Sequence, residues 1–222
     1  MSVLAALADR RLALSPIALR LIDDLTGGVP VGTVGCALFV DDGAGGWVPS
    51  GVRARRSAGG LLIFPDLGRT ARKGLGGAPS RSYQARFAAE FYTWYDQRTS
   101  DGYGFEVFPF NDAEPPPGLS GMPVAITLVP APNYPFPAEL RVLHGVVTGP
   151  DGPVANAEIS RGNVDRVLTD ARGAFALPLR QPALAGPVTI DATDHRATPN
   201  RVGQAVLQLP DALRTSQTIA IS

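Results

Sequence analysis

The residues able to do chemistry in this chain form a short inventory. There are two histidines, His144 and His195, and one cysteine, Cys36. Neither histidine stands in an H-x-x-E or H-x-H arrangement, the close spacing from which one element can present zinc ligands. Asp191-Ala192-Thr193-Asp194-His195 groups two carboxylates with an imidazole. It lacks the dense carboxylate pattern of a calcium loop, and it reads as a solvated turn. Cys36 lies in an apolar run, where a buried inert thiol is expected. The glycine-rich stretches 43–46 and 74–77 have no following Lys-Ser/Thr, so phosphate cradling has no support. The expectation is a protein that is not an enzyme, with no catalytic, cofactor-binding or metal residues.

Recognition chemistry is better represented. Phe91-Tyr92-Thr93-Trp94-Tyr95 packs four aromatics into five positions just before the polar run Asp96–Gly102. Strand alternation sends Tyr92 and Trp94 one way and Phe91, Thr93 and Tyr95 the other, so one set is expected in the core and the other at a surface. Aromatics with a polar tip suit protein interfaces and sugar stacking alike. The candidate interaction patch is Tyr92, Trp94 and Tyr95, with Tyr134 and Phe136 from a proline-rich stretch, where packing between domains is the competing role.

These residues must be carried by β-structure. With 25 glycines and 21 prolines, turns are frequent and long helices are not expected. Ile17–Asp23, Thr33–Val40, Val52–Arg56, Leu61–Pro65, Tyr83–Phe91, Gly102–Phe110 and Val124–Val129 read as strands. Arg69–Ser80 reads as an exposed loop, Asn111–Pro123 as an irregular excursion, and residues 2–13 as a short amphipathic helix or arm. Pro130–Pro137 predicts an extended polyproline-like linker. Beyond it, Pro153–Ile159, Ala174–Leu179, Val188–Asp191, Val202–Leu209 and Thr218–Ile221 supply further strands.

The stretch from Gly145 to Leu179 carries a family pattern. Gly145, Val147, Gly152, Pro153, Val154, Ala157 and Ile159 are followed by Thr169-Asp170-x-x-Gly173-x-Phe175-x-Leu177. This resembles the carboxypeptidase regulatory-like domain, a transthyretin-like (prealbumin-like) β-sandwich that usually accompanies other modules. The resemblance covers the C-terminal third and implies a fold rather than an activity. Hydroxyisourate hydrolases of transthyretin type end in a Tyr-Arg-Gly-Ser tail, whereas this chain ends Ile-Ala-Ile-Ser. Intradiol dioxygenases, which share the prealbumin core, hold iron with two His and two Tyr, and no Tyr follows Tyr134 here.

The N-terminal region repeats the same order of strands and turns. LRLIDDLTGGVPVGTVGCALF parallels LRVLHGVVTGPDGPVANAEIS, and SAGGLLIFPDL parallels DARGAFALPL, as expected of a degenerate duplication. The predicted organisation is all-β: an arm at 1–14, a β-sandwich at 15–129, a linker at 130–138 and a C-terminal β-sandwich at 139–222.

Charge excludes some partners. Twenty basic residues, all arginine except Lys73, balance twenty acidic ones, so no basic face for nucleic acid is implied. The single cysteine rules out an intrachain disulfide, which favours a reducing compartment. At the N-terminus the charges of Asp9-Arg10-Arg11 follow a short apolar run, the wrong order for a secretory signal and too short a run to span a bilayer. Synthesis in the cytoplasm is expected. The function expected is a structural or adaptor protein whose partners are subunits of a larger assembly, such as a phage-tail-like or contractile injection particle. The alternative is a glycan- or peptide-binding module using the aromatic patch.

Overall fold

A computed structural model describes residues 14–114, 123–181 and 184–222. Residues 1–13 of the expected arm, and most of the proline-rich excursion, lie outside the described residues. No described helix is long and apolar enough to cross a membrane.

The described chain is almost wholly β. Its strands are β1 (Ala18–Asp23), β2 (Val34–Asp41), β3 (Trp47–Arg53), β4 (Arg55–Arg56), β5 (Leu62–Ile63), β6 (Arg81–Ala89), β7 (Tyr92–Trp94), β8 (Tyr103–Val107) and β9 (Val124–Pro130), then β10 (Arg141–Gly149), β11 (Gly152–Pro153), β12 (Glu158–Arg161), β13 (Asp165–Leu168), β14 (Ala174–Leu179), β15 (Gly186–Asp194), β16 (Arg201–Leu209) and β17 (Gln217–Ala220). Two single-turn 3₁₀ helices, Tyr95–Arg98 and Asp211–Arg214, complete the set.

Strand order repeats along the chain. Strands β1 to β9 make two sheets, ordered β4-β5-β1-β9-β7 and β3-β2-β6-β8. Among strands β10 to β17, β10 lies between β14 and β17 and also pairs with β11, and the other sheet runs β13-β12-β15-β16. The run β5-β1-β9 therefore has its counterpart in β14-β10-β17, and β3-β2-β6-β8 in β13-β12-β15-β16. This is the β-sandwich architecture that the alternation and turn spacing predict.

The motif residues have identifiable local jobs. Gly145 lies opposite Phe175 in the β10–β14 register, and a Cβ at Gly145 would fall 2.5 Å from the Phe175 ring. The ring thus crosses a backbone that must be bare. Thr169 is buried; its hydroxyl donates to the Val154 carbonyl at 2.6 Å and accepts from the Ala157 amide at 2.9 Å. Asp170 closes the next turn by accepting from the Arg172 and Ala174 amides. Gly173, at φ +73°, then brings the chain back toward Val147.

Several boundaries differ from expectation. The predicted strand Pro153–Ile159 is interrupted, because Asn156 takes a left-handed φ of 58° and only Glu158 onward rejoins a ladder. The strand expected at Val52–Arg56 begins earlier, at Trp47, and is broken after Arg53, with Arg55–Arg56 a separate short strand. The proline-rich stretch is not extended. It turns at Ala131–Tyr134 and buries the Tyr134 ring, since a ring that finds an apolar neighbour and a hydrogen-bond acceptor outweighs the polyproline preference.

By compactness the chain divides into two units, each built from separated segments. One comprises Met1–Arg20, Ala37–Gln84 and Gly104–Val124; the other comprises Leu21–Cys36, Ala85–Tyr103 and Ala125–Ser222. The first has a core around Leu19, Phe64, Val107 and Phe110, with Phe105 stacked 6.0 Å from both Phe64 and Tyr83. In the second, Leu143, Val147, Ile159, Phe175, Leu177 and Ile190 form the centre of an apolar cluster. Each such side chain contributes about 1.5–3 kcal/mol on burial.

Candidate functional site

The aromatic run resolves as strand alternation demands, but its inward set is Tyr92 and Trp94, two members of the expected patch. Tyr92, Trp94 and Tyr134 are buried and do not form a surface, which corrects the expectation of an exposed cluster. Tyr95 and Phe136 are half-buried. Trp94 packs on Phe87 at 5.6 Å, and Tyr134 meets Tyr92 edge-on at 5.3 Å and Phe136 at 4.8 Å.

The phenols of Tyr92 and Tyr134 converge on a buried carboxylate. Asp23 is 1% exposed, and its Oδ2 accepts from Tyr92 Oη at 3.2 Å, Tyr134 Oη at 3.1 Å and Thr26 Oγ1 at 3.0 Å. Its Oδ1 takes the Leu25 amide at 2.8 Å. Burial raises both tyrosines above their usual range, and the charge of Asp23 adds to the effect. Tyr92 Oη also accepts from the Val31 amide at 2.9 Å. The group fastens the 24–31 loop to the proline-rich turn.

The densest polar constellation surrounds Glu158 on β12. Tyr95 and Arg98 come from a 3₁₀ turn that places residues three apart on one side. Tyr95 Oη donates to Glu158 Oε1 at 2.6 Å, while Arg98 Nη1 and His195 Nε2 reach Oε2 at 3.1 and 2.8 Å. The guanidinium carbons of Arg98 and Arg166 lie 4.0 and 4.1 Å from the Tyr95 ring centroid. Both cations lie within cation–π range of the ring.

The array continues across neighbouring strands. Arg166 and Arg180 both pair with Asp24, the former at 2.9 Å. Asp165, fully buried, takes Arg161 Nε at 2.7 Å and the Arg180 amide at 3.2 Å. Arg196 anchors on the Gln97 carbonyl and on Asp101.

Electrostatically the Glu158 site is a clasp. Burial alone would push the Glu158 carboxyl up, but hydrogen bonds from Tyr95 and His195, with the charge of Arg98, hold it below the usual range. Burial and donation to Glu158 push the Tyr95 phenol up against the opposing arginines. A carboxylate holding three donors suits fastening rather than proton transfer.

The remaining candidates are engaged or inert. Asp191 accepts from Gln204 Nε2 at 2.8 Å, Asp194 caps the Arg196 amide at 3.0 Å, and His195 is on Glu158. Among the described residues no three His, Cys, Asp or Glu side chains converge as a metal site. Cys36 is half-buried, and burial pushes its thiol up to about 11.

Sequence reasoning missed Glu158, Arg98, Arg166, Asp24 and Arg180. The Tyr95–Arg98 spacing hints at a shared side of a turn, but separations of 60 and 142 residues to Glu158 and Asp24 have no local signal. A scan against protein-family models and a search of curated proteins return no match to the chain.

Proposed function

We propose that this protein is a non-enzymatic structural or adaptor component that contributes β-sandwich modules to a multi-protein assembly, of the kind found in phage-tail-like particles. The observation that carries the reading is the character of strand β16. It ends its sheet, and it pairs with β15 over nine residues, from Arg201 opposite Asp194 to Leu209 opposite Gly186, without a register shift. Natural edge strands are normally blunted by charge, proline or bulges. From Val202 to Leu209 there is no charge and no proline, and Val202 and Val206 are 57% and 63% exposed.

On its far side Val202 exchanges two backbone hydrogen bonds with Ser222, both at 3.2 Å. Beyond that contact, residues 204–208 offer a regularly paired, uncharged edge suited to strand addition by a partner subunit. The competing glycan-binding reading loses support from the burial of Tyr92 and Trp94 and from the two cations on Tyr95.

The test is sedimentation of the tagged protein from its native lysate, with mass spectrometry of the co-migrating material. Migration far above 23.2 kDa with stoichiometric partners, abolished by Val206→Lys, is the expected result. Migration alone at its own mass overturns the proposal.

A further inference from the structure

A separate feature lies in the unit that contains Ala37–Gln84. Gly68, Leu75, Ala78, Pro79, Val107 and Pro109 form the apolar side of a half-open cleft of about 430 Å³, within the roughly 300–1,000 Å³ typical of small-molecule sites. Its floor is close-set by construction. Gly68 has φ +88°, and a Cβ there would lie 2.7 Å from Val107 Cγ1 and 2.9 Å from the Phe108 carbonyl. Only glycine allows this approach.

The polar groups around the cleft are Arg69, Thr70, Arg72, Arg81 and Tyr83. Arg69 is already committed, to Asp66 at 2.9 Å and to Asp112. Glu114 is consumed by the Leu75 and Gly74 amides at 2.7 and 3.0 Å, and those bonds hold it below the usual range. Glu106 takes the Ser80 hydroxyl at 2.9 Å. Among the described residues, the guanidinium groups of Arg72 and Arg81 have no carboxylate partner, and the Tyr83 phenol makes no hydrogen bond. The cleft thus combines an apolar floor with donors whose local acceptors are spoken for.

We infer that this cleft binds an organic carboxylate with an apolar body, its acid group between Arg72 and Arg81 and its body against Leu75, Val107 and Pro109. A guanidinium is the side chain best matched to a carboxylate, through paired parallel hydrogen bonds. The carboxylate comes either from a free small acid or from an acidic residue beside an apolar one in a peptide. The inference is independent of strand β16.

The experiment follows backbone amide shifts of the full-length protein during titration with 3-phenylpropionate, its neutral amide, and the capped dipeptide acetyl-Phe-Asp-amide. Saturable shifts at Gly68, Thr70, Leu75 and Val107 are expected with an acid probe. Affinity should fall at least tenfold for the neutral amide and for the Arg72→Gln/Arg81→Gln variant, whose substituted side chains are exposed. Tighter binding of the dipeptide assigns the site to a peptide, and tighter binding of phenylpropionate assigns it to a free acid. The inference is overturned if no acid probe gives saturable shifts, if acid and amide bind equally, or if the double variant binds as well as the wild type.

Discussion

Tyr95 donates its phenolic proton to Glu158 across 63 residues of sequence, at 2.6 Å, while the guanidinium groups of Arg98 and Arg166 lie over its ring. One side chain therefore joins a 3₁₀ turn to strands β12 and β13 by a charge-assisted hydrogen bond and two cation–π contacts. Tyr95→Phe keeps the ring and deletes the bond. It should destabilise the protein by about 2 kcal/mol, the scale for a hydrogen bond to a charged group. Tyr95→Leu should cost about 1–2 kcal/mol more by removing the cation–π contacts. Equilibrium urea unfolding of both variants distinguishes the two losses.

The same site sets an acid limit. The folded-state pKa of Glu158 is depressed, so its contribution is fully present above the unfolded value of about 4.3 and is lost as pH falls through the folded value. Glu158→Gln should be less stable than wild type at pH 7, and the gap should narrow on acidification below about pH 4. A gap that stays constant with pH would contradict this assignment.

At the alkaline end the sign reverses. Tyr92, Tyr95 and Tyr134 are raised, so the stabilisation they bring is complete below the unfolded value of about 10 and disappears as pH rises through their higher folded values. Spectrophotometric titration should show Tyr92, Tyr95 and Tyr134 ionising late, together with unfolding. Tyr134→Phe should reduce the number of late-titrating groups by one.

Asp23 is the acceptor for four donors in a buried setting. Asp23→Asn turns one acceptor oxygen into a donor facing a hydroxyl or amide donor, and should cost about 2–4 kcal/mol. Hydrogen exchange should show the 24–31 loop opening more readily in the variant.

Gly173→Ala meets two penalties, the left-handed φ and a Cβ 2.5 Å from the Val147 carbonyl, and should cost about 2 kcal/mol or more. Gly152→Ala, with φ +114° but open space around the Cβ, isolates the backbone penalty. Thermal unfolding should rank the Gly173 variant clearly below the Gly152 variant.

Local chemistry made much of the scaffold legible in the sequence. Alternation located strands such as Ala18–Asp23 and Arg201–Leu209, because one face of each is drier than the other. The Thr169–Gly173 turn was legible because its partners lie within a few residues. Alternation also separated Tyr92 and Trp94 from Tyr95, but it could not say which set meets the core. That depends on where the Asp23 carboxylate and the Phe87 ring come to lie, in chain segments remote from β7 or on a neighbouring strand.

What the sequence by itself determined is therefore the periodic and the near: all-β structure, turn positions, and a repeated order of strands. What only the tertiary structure decided is the distant pairing of charges. Glu158, Tyr95, Arg98 and His195 are ordinary residues in isolation. Their roles arise when a 3₁₀ turn, a strand and the loop after β15 meet, since a charge–charge or phenol–carboxylate contact depends on distance in space and leaves no periodic trace in the chain.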